Sequence, residues 1–219
     1  MSTNGTIRRS TGVWLSALAL TAAIAGAAAA QEPDGALQRA TKSRAKGAES
    51  APIFVYEFAD FQCPHCSRFA LEVFPRIDSA FVKTGKVHWV FVNLPLPNHP
   101  NSWVAHEAAV CAGAVADRFW PMHDRIFGAQ SEWVNAADPG PLLARYAKEA
   151  GVPADAFAAC VAQDRVAALL LQDVIFAASS RVNGTPAFNI NNELSVVGMK
   201  TYEEWKELIE KTLKKQEER

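Results

Sequence analysis

The chain has 219 residues, of which 49% are hydrophobic and 21% are charged. This is enough apolar material to fill the core of a folded domain, which excludes disorder along the whole chain. The 22 lysines and arginines almost balance the 23 aspartates and glutamates. Binding to nucleic acid or to an anionic membrane through bulk charge is therefore not expected.

The N-terminus has the layout of a targeting segment. Arg8 and Arg9 precede an apolar stretch at residues 13–25, and three alanines follow at residues 28–30. A positive start, an apolar run and a small-residue end predict a cleaved signal peptide over residues 1–30. The apolar run is also long enough for a membrane anchor, so an uncleaved anchor stays open as the alternative to a cleaved signal peptide. The export route stays open as well, because the arginine pair is compatible with either general secretory or twin-arginine export.

The next segment, residues 31–50, carries scattered charges and alanines with little apolar periodicity, so we expect a flexible, solvated lead-in. A folded domain is predicted over residues 51–219. It begins with a run of β-branched and aromatic residues at 53–58, which is typical of a strand buried on both faces.

A helix and a second strand are predicted after this first strand. Apolar residues recur at helical spacing across residues 69–81, where Pro75 is expected to interrupt the helix. Another apolar run at 87–94 has the pattern of a strand. A strand, a helix and a strand of these lengths predict a βαβ unit with parallel strands.

The second half of the domain is mostly helical. The pattern from about residue 101 to 181 predicts a helical insertion. Two short runs at 186–190 and 194–197 flank a pair of asparagines and predict a β-hairpin. Thr201 and Glu204 then form a capping-box pattern, which predicts a final helix packed on the domain.

Four cysteines follow the predicted cleavage point, as is typical of a protein in an oxidising compartment, so we expect a periplasmic or other extracytoplasmic location. Cys63 and Cys66 are close in sequence, whereas Cys111 and Cys160 lie far apart within the helical insertion. We expect the second pair to form a structural disulfide. Its loop of about 49 residues would contribute roughly 4 kcal/mol to stability. Two buried free thiols are the alternative.

The first pair lies where a strand ends and a helix begins. Cys63 is therefore expected at the helix N-terminus, with Cys66 one turn later on the same face. Backbone N–H groups, the helix dipole and a His65 imidazolium would stabilise the Cys63 thiolate, which is the attacking species. The C-x-x-C pattern also binds zinc, and the further ligands would then be two of the histidines His99, His106 and His123.

Glu57 lies six residues before Cys63 in a strand that otherwise has the pattern of a buried one. A buried carboxyl near Cys66 would be able to relay the proton of that thiol during exchange. The alternative is a glutamate at the strand end that reaches solvent. His88 on the second strand is expected to face water.

Several motifs together resemble the DsbA-like thiol-disulfide oxidoreductases. They are Glu57-Phe58, Asp60-Phe61-Gln62-Cys63-Pro64-His65-Cys66, Leu94-Pro95-Leu96, Phe119-Trp120 with His123, and Gly184-Thr185-Pro186-Ala187-Phe188. The resemblance covers most of the predicted mature chain. It implies a thioredoxin-like α/β fold with an inserted helical domain.

The resemblance also implies roles for individual residues. Cys63 would be the surface nucleophile, Cys66 the buried resolving thiol, and Pro64-His65 the dipeptide that tunes the redox potential. The family has a cis peptide at Thr185-Pro186, which faces the disulfide and presents backbone to an incoming substrate. It also places an acid at the position of Glu57.

The implied function is the introduction of disulfide bonds into newly exported proteins. Its partners would be reduced or unfolded exported polypeptides and a membrane-bound, quinone-linked reoxidant. A redox-active disulfide would serve in place of a bound cofactor or metal. The lead-in is too short for a separate dimerisation module, so we expect a monomeric oxidant. A reductase or isomerase of the same fold, and a metal-binding or thiol-chaperone module, are the alternatives.

Overall fold

In the computed structural model, which describes residues 1–2 and 35–218, the domain is organised around a five-stranded sheet. The strand order is β1-β3-β2-β4-β5. The strands are β1 (Ala45–Lys46), β2 (Ile53–Ala59), β3 (Val87–Asn93), β4 (Ala187–Ile190) and β5 (Leu194–Val197). β2 and β3 are parallel, as the βαβ pattern predicts, and the other neighbouring pairs are antiparallel.

The two central strands, β2 and β3, have buried residues on both faces of the sheet. On one face Val55 and Trp89 belong to the main hydrophobic core. On the other face Phe58 and Val92 pack with Ala177 of a later helix. Because apolar side chains cover both faces of β2, the end of this strand is rigid and excluded from water. The segment that carries the C-x-x-C motif follows directly after it.

A long helical run follows β2 and carries the C-x-x-C motif. It consists of α2 (Pro64–Arg68), a π-helical turn (Phe69–Val73), α3 (Phe74–Ile77) and a second π-helical turn (Asp78–Val82). Pro75 lies in the first turn of α3, where a missing backbone N–H is tolerated. The predicted interruption at Pro75 is therefore a change from π to α hydrogen bonding and not the end of the helix.

Between β3 and β4 the described chain forms six helices, in the region where the sequence predicts an insertion. They are α4 (Ser102–Ala116), α5 (Phe119–Gly128), α6 (Gln130–Trp133), α7 (Gly140–Glu149), α8 (Ala154–Ala162) and α9 (Ala167–Ser179). Most of α4 is buried. A Cβ atom on Gly113 of α4 would lie 3.0 Å from the Ser43 Oγ, so a glycine permits the close approach of the neighbouring segment.

The prediction of a flexible lead-in is wrong for residues 35–50. Helix α1 (Gly35–Ser43) packs against α4 and buries Ala36 and Ala40, and β1 pairs with β3. Alanines four residues apart make a helix face with little apolar area, and this is why the sequence shows only a weak helical pattern there.

Two further contacts tie this N-terminal segment to the domain. Arg44 forms a buried ion pair with Asp173 of α9, and its carbonyl accepts a hydrogen bond from the backbone N–H of Phe91 at 3.1 Å. His88 is buried, and its Nδ1–H donates to the carbonyl of Gly47 at 3.2 Å. The expectation that His88 faces water is therefore wrong.

The predicted signal peptide at residues 1–30 lies outside the described residues, apart from Met1 and Ser2. Within the described part of the chain, no helix has both the length and the apolar character needed to span a membrane.

The C-terminal part has the predicted hairpin and helix. β4 and β5 are joined through Asn191 and Asn192, whose φ angles are 52° and 56°, as in a type I′ turn. Helix α10 (Tyr202–Glu217) begins with the predicted capping box of Thr201 and Glu204. Its Trp205 is fully buried in the aromatic core, so α10 covers the same face of the sheet as the C-x-x-C helix.

Candidate active site

The two cysteines of the C-x-x-C motif occupy the start of α2. Cys63 is the N-cap residue with extended backbone angles, and Cys66 lies within the first turn. Only 5% of Cys63 and none of Cys66 is exposed, so the expected surface position of Cys63 is wrong for this structure, although Cys63 is the more exposed of the two. Both thiols are free in this structure. The Cys63 Sγ lies 3.5 Å from the carbonyl oxygen of Thr185, to which it donates a hydrogen bond when it is protonated, so this sulfur faces the loop before β4.

The two thiols differ strongly in acidity. A hydrogen bond from the Cys66 thiol lowers the pKa of Cys63 to about 5, against the opposing effect of burial, and the backbone N–H groups of Cys66 and His65 add to the lowering. Burial and the neighbouring Cys63 sulfur raise the pKa of Cys66 well above its ordinary value. At neutral pH the site therefore holds one thiolate, on Cys63, and one proton, on Cys66.

His65 lowers the pKa of Cys63 through its backbone N–H, as the sequence analysis expected of the backbone, and the imidazolium that was expected to add to this is not among the groups that lower it. Its exposed side chain instead lines a pocket of about 340 Å³ beside the motif. The other residues of that pocket are Arg68, Thr185, Pro186, Gly198 and Met199. The peptide bond between Thr185 and Pro186 is cis. The structure thus brings the cis-proline loop, which the sequence singles out, next to the cysteine motif.

Glu57 lies in the central strand β2 and is only 1% exposed, so the alternative of a strand-end glutamate in solvent does not apply. Its Oε2 accepts a hydrogen bond from the Trp89 Nε1 at 2.8 Å, while its Oε1 has no hydrogen-bond partner among the described residues. Burial raises the pKa of this carboxyl to about 8, although the hydrogen bond from Trp89 opposes the rise. Glu57 is therefore mostly protonated at neutral pH.

One side chain and one backbone N–H of the helical insertion fix the turn before Cys63. The Gln130 Nε2 donates to the carbonyls of Phe61 and Cys63 at 2.8 and 3.0 Å. The backbone N–H of Asn101 donates to the Gln62 Oε1 at 2.9 Å. The sequence analysis missed Gln130, because one glutamine at the start of a short helix carries no recognisable pattern.

Asp60 also holds the turn before Cys63 in place, through hydrogen bonds to its carboxylate. Its fully buried carboxylate accepts hydrogen bonds from the backbone N–H of Gln62 and of Leu96, both at 2.7 Å, and from the Ser102 Oγ at 2.6 Å. The His99 Nδ1 also donates to it, at 2.9 Å. Four donors around one carboxylate satisfy its acceptor capacity, so Asp60 is a structural anchor of the turn.

A buried histidine continues this polar network. The backbone N–H of Phe61 donates to the His106 Nε2 at 3.4 Å, and the His106 Nδ1–H donates to the Asn93 Oδ1 at 2.9 Å. Burial lowers the pKa of His106 to about 4, which agrees with a neutral ring that accepts at one nitrogen and donates at the other. The Asn93 Nδ2 in turn donates to Asp173 at 2.7 Å.

The histidines considered for a zinc site have other partners. His99 binds Asp60, His106 binds Asn93, and the His123 Nδ1 donates to Asp124 at 2.8 Å. In the part of the chain that the structure describes, no three His, Cys, Asp or Glu side chains are arranged to hold a metal ion.

Cys111 of α4 and Cys160 of α8 are joined by a disulfide, with their Cα atoms 5.9 Å apart. Both residues are buried, and the alternative of two free thiols does not apply to this structure. The bond links two helices of the insertion and is separate in sequence from the cysteine motif.

Known proteins resemble the chain over most of the described domain. Residues 39–211 match the family model described as thioredoxin. Disulfide bond formation protein D of Bacillus subtilis is 27% identical over 172 residues, which cover 77% of this chain and 76% of that protein. The crystal structure of alpha-DsbA1 from Wolbachia pipientis is 25% identical with a TM-score of 0.68, and the match covers 79% of this chain and 92% of that one.

Part of a much longer protein, an antiporter, is also similar to this chain. Na(+)/H(+) antiporter NhaA 3 of Salinispora tropica is 36% identical over 151 residues, or 68% of this chain, but these residues are 22% of the antiporter. The chain thus spans about a fifth of that relative's length.

These matches confirm the predicted thioredoxin-like α/β fold with an inserted helical domain. A C-x-x-C motif at a helix N-terminus, which faces a cis-proline loop, is the site expected for that fold. The chain belongs to the DsbA-like family of thioredoxin-fold thiol-disulfide oxidoreductases.

Proposed function

We propose that the protein is an exported disulfide oxidase, which introduces disulfide bonds into newly exported polypeptides. The observation that carries the proposal is the difference in acidity between Cys63 and Cys66. The Cys63 thiolate exists only in the reduced protein, so the interactions that stabilise it favour reduction of the site. A site that favours its reduced form readily donates its disulfide.

The reaction starts from the oxidised site. A substrate thiolate attacks the Cys63 sulfur, the bond between Cys63 and Cys66 breaks, and Cys66 leaves as a thiolate that takes up a proton. A second substrate thiolate then attacks the substrate sulfur of this mixed disulfide, and Cys63 leaves as a stable thiolate. Two electrons pass from the substrate dithiol, which is oxidised to a disulfide, to the two cysteines of the site, which are reduced.

Glu57 is the proposed source of the proton for Cys66. A carboxyl with a pKa of about 8 carries a proton at neutral pH and is able to donate it to a newly formed thiolate of higher pKa. The Thr185 carbonyl oxygen, which lies 3.5 Å from the Cys63 sulfur, marks the backbone along which a substrate would lie, with Pro186 beside it.

The cysteine pair itself carries the electrons, so no bound cofactor is required. We expect a cleaved signal peptide, an extracytoplasmic monomer, and reoxidation by a membrane-bound, quinone-linked partner. N-terminal sequencing of the exported protein tests the first of these, and a mature chain that starts before residue 13 would contradict it.

Trapping of intermediates tests the chemistry directly. Cys66→Ser leaves the attacking thiol but no resolving thiol, so it should accumulate mixed disulfides with substrates that reductant releases. Cys63→Ser is the matched control, because it leaves only the buried thiol. Equal trapping by both variants would overturn the assignment of the nucleophile.

The direction of the reaction needs a second assay. Oxidation of a reduced dithiol peptide by the oxidised protein is compared with the unscrambling of a substrate that holds wrong disulfides. An oxidase should perform the first reaction faster. Faster unscrambling would favour an isomerase of the same fold, and tightly bound metal in a native mass spectrum would favour a metal-binding module.

A further inference from the structure

The pocket beside Cys63 has one basic wall. Arg68 and His65 are three residues apart on α2, so they share one face of the helix, and both line the pocket. The remaining lining residues are uncharged: Thr185, Pro186, Gly198 and Met199. None of the described lining residues is acidic.

The guanidinium of Arg68 is also free to bind a ligand. Two other cations of the described chain have carboxylate partners, since Arg76 pairs with Glu203 at 3.1 Å and Lys200 lies 3.6 Å from Glu204. Arg68 forms no ion pair with any described residue, and Glu72, four residues further along the helical run, is not bonded to it. An exposed arginine without an ion-pair partner, in a pocket whose described lining residues include no acid, indicates a place for an anionic group from outside the chain.

We propose that Arg68 makes this pocket a subsite for an acidic side chain of the substrate polypeptide, close to the cysteine that reacts with Cys63. The proposal rests on the proposed function and names the class of substrate that the site prefers. A guanidinium donates two parallel hydrogen bonds to the two oxygens of a carboxylate. A substrate amide or hydroxyl group has a single oxygen and does not accept this pair of bonds. Apolar contacts with Met199 and Pro186 would cover the methylene groups of a glutamate.

The position of the pocket limits where the acidic residue lies in the substrate. Thr185 is shared between the pocket and the hydrogen bond to the Cys63 sulfur. An extended substrate advances by about 3.3 Å per residue, so a side chain one to three residues from the reacting cysteine comes within reach of Arg68.

Recognition by Arg68 is separable from the chemistry of the thiols. The groups that lower the pKa of Cys63 are the Cys66 thiol, the Thr185 side chain and two backbone N–H groups, and Arg68 is not among them. Loss of Arg68 should therefore change the choice of substrate without changing the acidity of Cys63.

The test uses two reduced dithiol peptides that differ at one position, with Glu or Gln two residues from the first cysteine. Oxidised wild-type protein should react roughly two- to five-fold faster with the Glu peptide at low salt, as expected for a partly exposed ion pair, and the preference should shrink at high salt. Arg68→Gln should reduce the ratio of the two rates to about one, while Arg68→Lys should keep part of it.

Arg76→Gln is the matched control, because Arg76 is an exposed arginine outside the pocket. It should retain the wild-type ratio. Titration of the thiolate absorbance at 240 nm should give the same Cys63 pKa in Arg68→Gln as in the wild type. Equal rates for both peptides in the wild type, or a preference that persists in Arg68→Gln, would overturn the subsite alone. A wild-type protein that oxidises neither peptide would overturn the proposed function and the subsite together.

Discussion

The stability of a Glu57→Gln variant relative to the wild type should rise with pH, because the wild type buries a carboxyl that the variant lacks. The buried carboxyl has a pKa of about 8 in the folded chain, compared with 4.5 without the protein environment. The folded state therefore binds this proton more tightly than the unfolded state does. Burial of the Glu57 carboxyl therefore costs no folding stability below about pH 4.5. As the pH rises from there towards 8, the free energy of unfolding falls.

The size of the effect follows from the same two values. Each pKa unit corresponds to about 1.4 kcal/mol, so burial of Glu57 costs about 3 kcal/mol at pH 7 and approaches about 5 kcal/mol above pH 8. Glu57→Gln keeps an oxygen that accepts from the Trp89 indole but adds a buried amide N–H group. If that group finds no partner, it costs roughly 1–3 kcal/mol at every pH. The pH-dependent part of the difference isolates the carboxyl.

Urea unfolding of the reduced wild type and of reduced Glu57→Gln at pH 4, 5.5, 7 and 8.5 measures this difference. The variant should gain on the wild type by about 3 kcal/mol between pH 4 and pH 7. Glu72→Gln is the control, because Glu72 is an exposed acid on the helical run that follows Cys66, and its curve should run parallel to the wild type. A Glu57→Gln curve parallel to the wild type would refute a buried, protonated carboxyl.

Three further predictions concern the thiols and the turn that holds them. The pKa of Cys63 is depressed to about 5, so the stabilisation of the reduced fold is complete above pH 9 and fades as the pH falls through 5. The reduced protein should therefore melt higher than the oxidised protein at pH 7, and the reverse order would contradict an oxidase. Double replacement of Cys111 and Cys160 by alanine should lower the free energy of unfolding by roughly 4 kcal/mol but leave peptide oxidation intact, and loss of turnover in a folded variant would exclude a purely structural bond. Gln130→Leu, which removes the hydrogen bonds to the carbonyls of Phe61 and Cys63, should speed amide exchange around the turn and shift the redox equilibrium with glutathione; an unchanged equilibrium would limit Gln130 to stability.

Local patterns were sufficient to predict the redox turn. Cys63 and Cys66 are one helical turn apart, and the strand before them and the helix after them both show in the apolar periodicity. The parallel pairing of β2 with β3 also follows from the βαβ spacing. Such features depend on neighbours in sequence, and a single chain contains that information.

Contacts between distant segments could not be predicted in this way. Gln130 reaches the carbonyl of Cys63 from 67 residues away, and nothing in its own neighbourhood marks it. Helix α1 was missed because Ala36 and Ala40 bury little area and owe their burial to α4. His65 shows a different limit, since the expected contribution of the backbone N–H groups is confirmed, whereas the expected contribution of the His65 imidazolium is not among the groups that lower the pKa of Cys63.

At neutral pH Glu57 is mostly protonated, as a proton donor to a leaving Cys66 thiolate has to be. In the oxidase step Cys66 leaves as a thiolate and needs a proton donor, and at pH 7 only about a tenth of the Glu57 carboxyls are ionised. An attack by Cys66 on a mixed disulfide needs a proton acceptor instead, which Glu57 provides only as the pH passes 8. The rate of the first exchange step in the wild type, divided by that of Glu57→Gln, should therefore exceed one at pH 7 and fall towards one above pH 8. Stopped-flow measurement of tryptophan fluorescence would follow that step, and a ratio that rises with pH would show that Glu57 acts as a base.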